Sequence, residues 1–148
     1  MSTETIAARE EAIVEEFSFF DDWMEKYEYL IELGHALPLI EEAYKTAEYR
    51  IHGCQAQVWL RAEICDDHVF YKADSDAIIT KGLISLLVRV LSDQPPKAIA
   101  RAELAFLDRI GLKEHLSSTR KNGLSAMVKQ MKLYALALGN SDIPVSNT

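Results

Sequence analysis

The sequence predicts an α+β fold in which several helices pack against a small antiparallel sheet of about three strands. Apolar residues recur at helical spacing before residue 35 and again after residue 77, whereas residues 57–64 follow a period of two. No internal repeat, low-complexity run or linker interrupts the 148 residues. We therefore expect one domain over residues 1–140, with helices and sheet sharing one core, and a disordered tail at 141–148.

Two helices are predicted in the first 34 residues. The first places its apolar residues on one face, at Ile6, Ile13, Val14 and Phe17. The second begins at Asp22, a favourable N-cap with Glu25 three residues later, and ends at Gly34. Its predicted buried face comprises Trp23, Tyr27, Leu30 and Ile31. Pro38 then starts a short helical turn that runs through Leu39 and Ile40 toward Tyr44.

The sheet is predicted between Tyr49 and Tyr71. One face of the first strand carries Val58, Leu60, Ala62 and Ile64. Asp66-Asp67 supplies a two-residue turn into a second strand that contains Val69, Phe70 and Tyr71. The segment Tyr49–His52 is predicted to pair across the bend at Gly53 as a third strand.

The remaining chain predicts further helices. Asp74 or Ser75 should cap the next one, whose wide apolar stripe should cover the sheet; the stripe comprises Ile78, Ile79, Leu83, Leu86, Leu87, Val90 and Leu91. Pro95-Pro96 ends this helix and starts another around Ala98–Ala102, and a short helix at Leu104–Ile110 ends at Gly111. The last helix should begin near Ser117–Thr119 and present an apolar side that comprises Leu124, Met127, Val128, Met131, Tyr134, Ala135 and Leu138.

Composition excludes several classes of protein. The formal charge is −7, and Lys and Arg form no basic stripe, so we expect no nucleic-acid partner. The N-terminus lacks the basic start and apolar run of a signal peptide, and Ile78–Leu91 is too short and too polar to span a bilayer. We therefore expect a cytoplasmic protein without a membrane partner. Two cysteines without an export signal favour reduced thiols over a disulfide framework.

Cys54 is the main candidate for chemistry. It follows Gly53 in a predicted bend, where loops run over the surface and where glycine permits a positive φ and adds no side chain over the thiol. His52 could favour the thiolate if its ring faces Cys54, although neighbouring extended residues point to opposite sides. Free cysteines are also often buried and inert. The local pattern leaves both interpretations open.

The other chemical signals are weaker. Cys65 ends a strand and is interpreted as a half-buried strand residue; a disulfide with Cys54 would need a Cα separation below about 7 Å. The cysteines and histidines form no CxxC or HxxxH pair, so we expect no metal. A thiol-dependent hydrolase would need a general base near Cys54, and His35, His68 and His115 are equally eligible.

The segment Gly53-Cys54-Gln55-Ala56-Gln57-Val58-Trp59 closely resembles the signature of the SufE family of sulfur-acceptor proteins. Three further segments resemble the same family in the same order: Trp23 to Pro38, Asp74 to Leu83, and Leu116 to Leu124 with Arg120, Asn122 and Gly123. The resemblance therefore spans about Trp23 to Met131. Ala56 departs from the serine typical of the family, and Cys65 lies outside the family motif.

The resemblance implies a compact SufE-like α+β fold, shared with IscU-like iron-sulfur scaffolds, with the reactive loop at the edge of the sheet. It implies a sulfur carrier and desulfurase activator rather than an enzyme. Cys54 would accept persulfide sulfur from a SufS-type cysteine desulfurase and pass it to a SufBCD-type cluster-assembly complex, and the protein itself would hold no cofactor. Arg120 would contact the desulfurase, Gln55 and Gln57 would flank the reactive loop, and Asp74 and Asp76 are weaker candidates for its surroundings.

Two alternatives stay open beside this hypothesis. A CsdE-like partner of a CsdA-type desulfurase would use the same residues and deliver sulfur to a different acceptor. An iron-sulfur scaffold would bind the cluster directly, but such sites use about three cysteine ligands, and the chain has two cysteines.

Overall fold

The computed structural model describes residues 4–139 and confirms the α+β class. The predicted tail at 141–148 lies outside the described residues. The elements are helices α1 (Ile6–Phe17) and α2 (Trp23–Gly34), a 3-10 turn (Glu42–Tyr44), strands β1 (Val58–Cys65) and β2 (His68–Ser75), and helices α3 (Ile78–Leu91), α4 (Pro96–Arg101), α5 (Phe106–Arg109), α6 (Leu112–His115) and α7 (Ser118–Gly139).

The boundaries of the first two helices follow from their caps. The Thr5 hydroxyl accepts a hydrogen bond from the Ala8 amide, and the Asp22 carboxylate accepts one from the Glu25 amide at 2.8 Å, as the sequence predicts. Helix α2 packs closely against α3 because Gly82 has no side chain: a Cβ there would lie 2.4 Å from the Leu30 carbonyl oxygen.

Strands β1 and β2 form an antiparallel hairpin in which Val58 pairs with Ser75 and Cys65 pairs with His68. Asp66 and Asp67 both have positive φ, as a type I′ turn requires. Val58, Leu60, Val69, Tyr71 and Ala73 are fully buried. Ile64, on the same face as Val58 and Leu60, is 42% exposed. Cys65 is likewise exposed rather than half-buried.

The predicted third strand is wrong, since the sheet has two strands within residues 4–139. Arg50 forms only a single bridge to Trp59, through Ile51 N–H to the Val58 carbonyl (2.8 Å) and Leu60 N–H to the Tyr49 carbonyl (2.9 Å). Upstream, the Tyr49 amide bonds the Thr46 carbonyl, so the chain is still turning there and leaves too few extended residues for a strand.

The segment around Pro38 also differs from its prediction. Leu39 bridges to Ala73 of β2, with the Pro38 carbonyl accepting from the Ala73 amide and the Ile40 amide donating back. The segment is therefore extended, and the 3-10 turn begins only at Glu42. Pro38 suits this edge position because its carbonyl can pair although it has no N–H to donate.

Helix α3 is the central helix and is buried along most of its length. It packs against α2 and β2, and the Ser92 hydroxyl beyond its end accepts from the Tyr71 amide. The predicted caps, Asp74 and Ser75, are wrong: both residues still belong to β2, and the N-cap is Ala77, which has no capping side chain. Pairing of Ser75 with Val58 prolongs the strand and delays the helix.

The C-terminal helices fit the prediction in order and differ in detail. Pro96 is the first residue of α4, as its missing N–H favours. Helix α5 is shorter than predicted, and the unpredicted α6 follows the positive φ of Gly111. Helix α7 begins as predicted and lies along the hairpin, where the Tyr71 hydroxyl donates to the Met131 carbonyl at 2.6 Å. The first turns of α3 and α7 thereby flank the start of β1.

Candidate functional site

Cys54 lies in a short loop that is anchored on both sides. The Ile51 amide bonds the Val58 carbonyl, which closes the loop at the start of β1. Gln57 is held by Asp76, whose carboxylate accepts from the Gln57 amide at 3.0 Å and whose own amide donates to the Gln57 carbonyl at 3.2 Å. Residues 52–56 are therefore fixed against the beginning of α3.

Two glycines allow the loop to lie on α7. Gly53 has φ +94°, a conformation that L side chains rarely adopt, and a Cβ there would lie 3.3 Å from the Ala126 methyl group. Gly123 is buried inside α7, and a Cβ on it would lie 3.5 Å from Cys54 Sγ. A side chain larger than alanine at position 123 would displace the thiol.

The Cys54 thiol is half-buried and rests against the backbone of α7, with Sγ 3.6 Å from the Gly123 carbonyl oxygen. An S–H group can donate weakly to this acceptor. Burial raises the pKa of the thiol, and the nearby Arg50 guanidinium opposes that rise. The resting thiol is therefore neutral at neutral pH.

A cleft of about 550 Å³ opens beside the thiol, here called the Cys54 cleft. One wall is the loop itself, and the other walls are the first turns of α3 and α7. The lining includes Gln55 and Ala56, then Ala77 and Thr80, and then Arg120 and Gly123. Its charged lining residues, Asp76 and Arg120, have opposite signs.

The structure brings together most of the residues singled out in the sequence. Gln55, Asp76 and Arg120 line the Cys54 cleft, and Gln57 is bound to Asp76 through its backbone. Asp74 instead lies in a buried ion-pair cluster, where Lys45 Nζ approaches it at 2.7 Å and Lys81 Nζ at 3.4 Å.

His52 and Cys65 lie apart from the cleft. His52 is exposed and does not line it. Cys65 is at the far end of β1, and an eight-residue strand is about 25 Å long. This separation excludes a disulfide with Cys54 in this conformation, and both cysteines are free.

Sequence reasoning missed three contributors to the site: Arg50, Thr80 and Gly123. Arg50 acts on the thiol through space, Thr80 lines the cleft from α3, and Gly123 accepts the thiol contact. Gly123 belongs to a segment that carries the family resemblance, and a glycine within a predicted helix can indicate close packing. Arg50 and Thr80 have no comparable signal, because their relation to Cys54 exists only in the fold.

None of the four histidines lines the Cys54 cleft. His68 bonds Asp93 at 2.8 Å, and His115 stacks on Trp23. Across residues 4–139 no group of three or more His, Cys, Asp or Glu side chains is arranged to hold a metal ion. In the same range, no helix combines the length and apolar character needed to cross a bilayer.

Fold and site define an α+β protein that presents one half-buried loop thiol over a cleft. A sequence profile described as SufE, Fe-S metabolism associated domain, matches residues 11–135. The chain belongs to the SufE family. This membership supports a sulfur-acceptor role in Fe-S metabolism and implies association with a cysteine desulfurase.

Individual relatives agree with this assignment. An uncharacterised SufE-like protein of Rhizobium etli is 40% identical over 125 residues, which cover 81% of this chain and 84% of the relative. The Arabidopsis thaliana protein named SufE-like protein 1, chloroplastic/mitochondrial is 39% identical over 91% of this chain, which spans 37% of that longer protein. The solution structure of a hypothetical protein from Thermus thermophilus superposes with a TM-score of 0.75 at 20% identity, covering 90% of this chain and 97% of that one, and supports the fold.

Proposed function

We propose that this protein accepts persulfide sulfur from a SufS-type cysteine desulfurase onto Cys54, stimulates that enzyme, and passes the sulfur to a SufBCD-type cluster-assembly complex. The observation that carries the proposal is the single thiol poised over a cleft, within a SufE-family domain. The protein acts as a carrier, so its substrates are other proteins. Its cytoplasmic location stays a prediction.

The transfer is a thiol exchange that needs no external oxidant. The Cys54 thiolate attacks the outer sulfur of the desulfurase persulfide, a new S–S bond forms at Sγ, and the old S–S bond breaks. Its electron pair leaves on the desulfurase cysteine as thiolate. The proton that Cys54 gives up balances the proton that the desulfurase cysteine regains.

The resting geometry explains why the thiol waits for its partner. A neutral, half-buried thiol bonded to the Gly123 carbonyl is a poor nucleophile, since the thiolate is the reactive form. The desulfurase must reach Sγ through the Cys54 cleft or draw the loop outward between its two anchors. In either case contact with the desulfurase, rather than free solution, promotes deprotonation.

Arg120 is the proposed contact for the desulfurase. It lies at the start of α7 on the rim of the cleft, is exposed, and forms no salt bridge within residues 4–139. Gln55 and Gln57 flank the thiol and would contact the desulfurase as it approaches Cys54. Asp76 shapes the loop from inside the site, and we assign Asp74 a more distant supporting role.

The alternative functions have less support. A hydrolase would need a base at the thiol, and no histidine lines the cleft. A scaffold would need a ligand cluster, which the described residues do not form around Cys54. A CsdE-like role with a CsdA-type desulfurase would use the same site, so it must be separated by the choice of partner enzyme.

The test is the release of sulfur from L-cysteine by purified SufS-type and CsdA-type desulfurases. Wild-type protein should raise turnover of the SufS-type enzyme more than that of the CsdA-type enzyme. Cys54→Ser should abolish the stimulation, and Arg120→Ala should reduce it. Arg101→Ala provides a matched control, because Arg101 is exposed on α4 and does not line the cleft. Stimulation that survives Cys54→Ser would contradict the proposal.

A further inference from the structure

The first turn of α3, whose residues Ala77 and Thr80 line the Cys54 cleft, carries unpaired backbone donors. This helix has 14 residues and an N-cap, Ala77, without a capping side chain. The Ala77 amide is bound by the Ser75 hydroxyl, and the first intrahelical bond runs from the Lys81 amide to the Ala77 carbonyl. Among residues 4–139, nothing accepts from the amides of residues 78–80. These groups carry the positive end of the helix dipole.

Thr80 adds a side-chain donor at the same place. The residue is only 8% exposed, and its hydroxyl has no hydrogen-bond partner among the described residues. No fully buried side-chain polar atom in that part of the chain lacks a partner, so the Thr80 hydroxyl must reach solvent. Since Thr80 lines the Cys54 cleft, its opening to solvent is this cleft. Thr80 is therefore more than nine-tenths buried as a residue, and its unpartnered hydroxyl reaches solvent next to the unpaired amides.

Because the charged side chains that line the cleft have opposite signs, the α3 donors determine whether the cleft favours an anion. Asp76 and Arg120 line it with opposite charges, and one Asp76 carboxylate oxygen is already engaged by the Gln57 amide. The Arg50 guanidinium adds a positive field at Sγ. The resting thiol uses none of the α3 donors, because it points its S–H group at the Gly123 carbonyl of α7. The site is thus built for an anion that the unloaded thiol does not supply.

A Cys54 persulfide would supply that anion. A persulfide is a stronger acid than the corresponding thiol, and its outer sulfur lies about 2 Å beyond Sγ. We propose that the outer sulfur of the loaded protein is held as an anion at the start of α3, where it accepts hydrogen bonds from the Thr80 hydroxyl and the unpaired amides. This inference rests on the proposed carrier function and names residues that retain the cargo. Empty and loaded Cys54 then differ in protonation and in the helix that they contact.

The experiment loads Cys54 with inorganic polysulfide, so that no desulfurase is involved. The pKa of the persulfide is read from the pH dependence of its alkylation by iodoacetamide, with adducts resolved by intact mass. Thr80→Val should shift the persulfide acidity about tenfold toward the protonated form, the effect of one lost hydrogen bond to a charge. Thr80→Ser should restore it. The acidity of the unloaded thiol should be equal in all three proteins.

A second variant makes the test independent of any packing defect at Thr80. Ala77→Asp places a carboxylate where it caps the unpaired amides, so the melting temperature should rise while the persulfide becomes harder to ionise. Equal persulfide acidity in wild type, Thr80→Val and Ala77→Asp would overturn the inference, as would failure of polysulfide to load Cys54. If wild type stimulates the desulfurase while the persulfide acidities of the three proteins are equal, this inference alone is refuted. If the persulfide acidities differ as predicted but wild type does not stimulate the desulfurase, the proposed function alone is refuted.

Discussion

Replacing Gly53 by alanine should strain the loop that carries Cys54. Gly53 has φ +94°, and the new methyl group would lie 3.3 Å from Ala126 on α7. An L residue held at positive φ costs about 1–2 kcal/mol, and the close contact adds to that cost. We therefore expect the free energy of unfolding to fall by about 1–2 kcal/mol. If the loop relaxes instead, Cys54 should leave Gly123 and react faster with iodoacetamide.

The matched control is Gly123→Ala, on the opposite side of the same contact. Its methyl group would lie 3.5 Å from Cys54 Sγ, an ordinary van der Waals distance, and alanine favours the helix by about 0.5–1 kcal/mol. Urea unfolding should therefore show a gain in stability for Gly123→Ala and a loss for Gly53→Ala. If Gly53→Ala left both the unfolding free energy and the alkylation rate at their wild-type values, the assigned loop conformation would be refuted.

Three further predictions test the surroundings of the thiol and the ion pair between Lys45 and Asp74. Asp76→Ala removes the carboxylate that binds the Gln57 amide, so the alkylation rate of Cys54 should rise by roughly tenfold. The control variant Glu28→Ala on α2 should leave this rate unchanged. An equal rise in both variants would contradict the role of Asp76 in anchoring the loop. Arg50→Ala removes the positive charge that opposes the rise in the pKa of the Cys54 thiol, so alkylation at pH 7 should slow by roughly two- to fivefold. A faster reaction would contradict the assigned effect of Arg50 on this pKa. Lys45→Gln removes the ion pair with Asp74 and should lower the free energy of unfolding by about 1–2 kcal/mol at pH 7. A loss of stability that does not depend on pH would contradict this ion pair.

The pH dependence of the last variant follows from Asp74. Burial alone would raise the pKa of this carboxyl group, but hydrogen bonds from Lys45 and the Ser75 amide, with the charge of Lys81, hold it below its ordinary value. A lowered folded-state pKa stabilises the protein above the unfolded value of about 3.9, and this stabilisation is lost as pH falls through the folded value. The difference between wild type and Lys45→Gln should therefore shrink below about pH 4.

The sequence predicts the elements whose signals are local. The Asp22 cap, the Asp66-Asp67 turn and the α7 stripe all depend on residues within a few positions of each other, and the structure contains all three. The third strand failed because the turn bond between Tyr49 and Thr46 competes with pairing to β1. The α3 cap failed because Ser75 is held in the hairpin by Val58. In both cases a contact with another element overrides a local preference.

The site shows the same division. Gly53-Cys54 identifies the reactive loop from adjacent residues, and the family resemblance adds Arg120. The neutral state of the thiol depends on burial against α7, with Cys54 and Gly123 69 positions apart. The donors at the start of α3 are visible only when it is known which amides and hydroxyls lack partners. Such facts are properties of the folded chain rather than of any motif.

The most direct test of the carrier function follows one sulfur atom. A SufS-type desulfurase is charged with isotopically labelled L-cysteine and mixed with this protein, and intact masses are recorded before and after reduction. We predict that wild type gains labelled sulfur, that reduction removes it, and that peptide mapping places it on Cys54. Cys65→Ser should gain the same label, and Cys54→Ser should gain none. A label that never appears, or that persists in Cys54→Ser, would contradict the assignment of Cys54 as the sulfur acceptor.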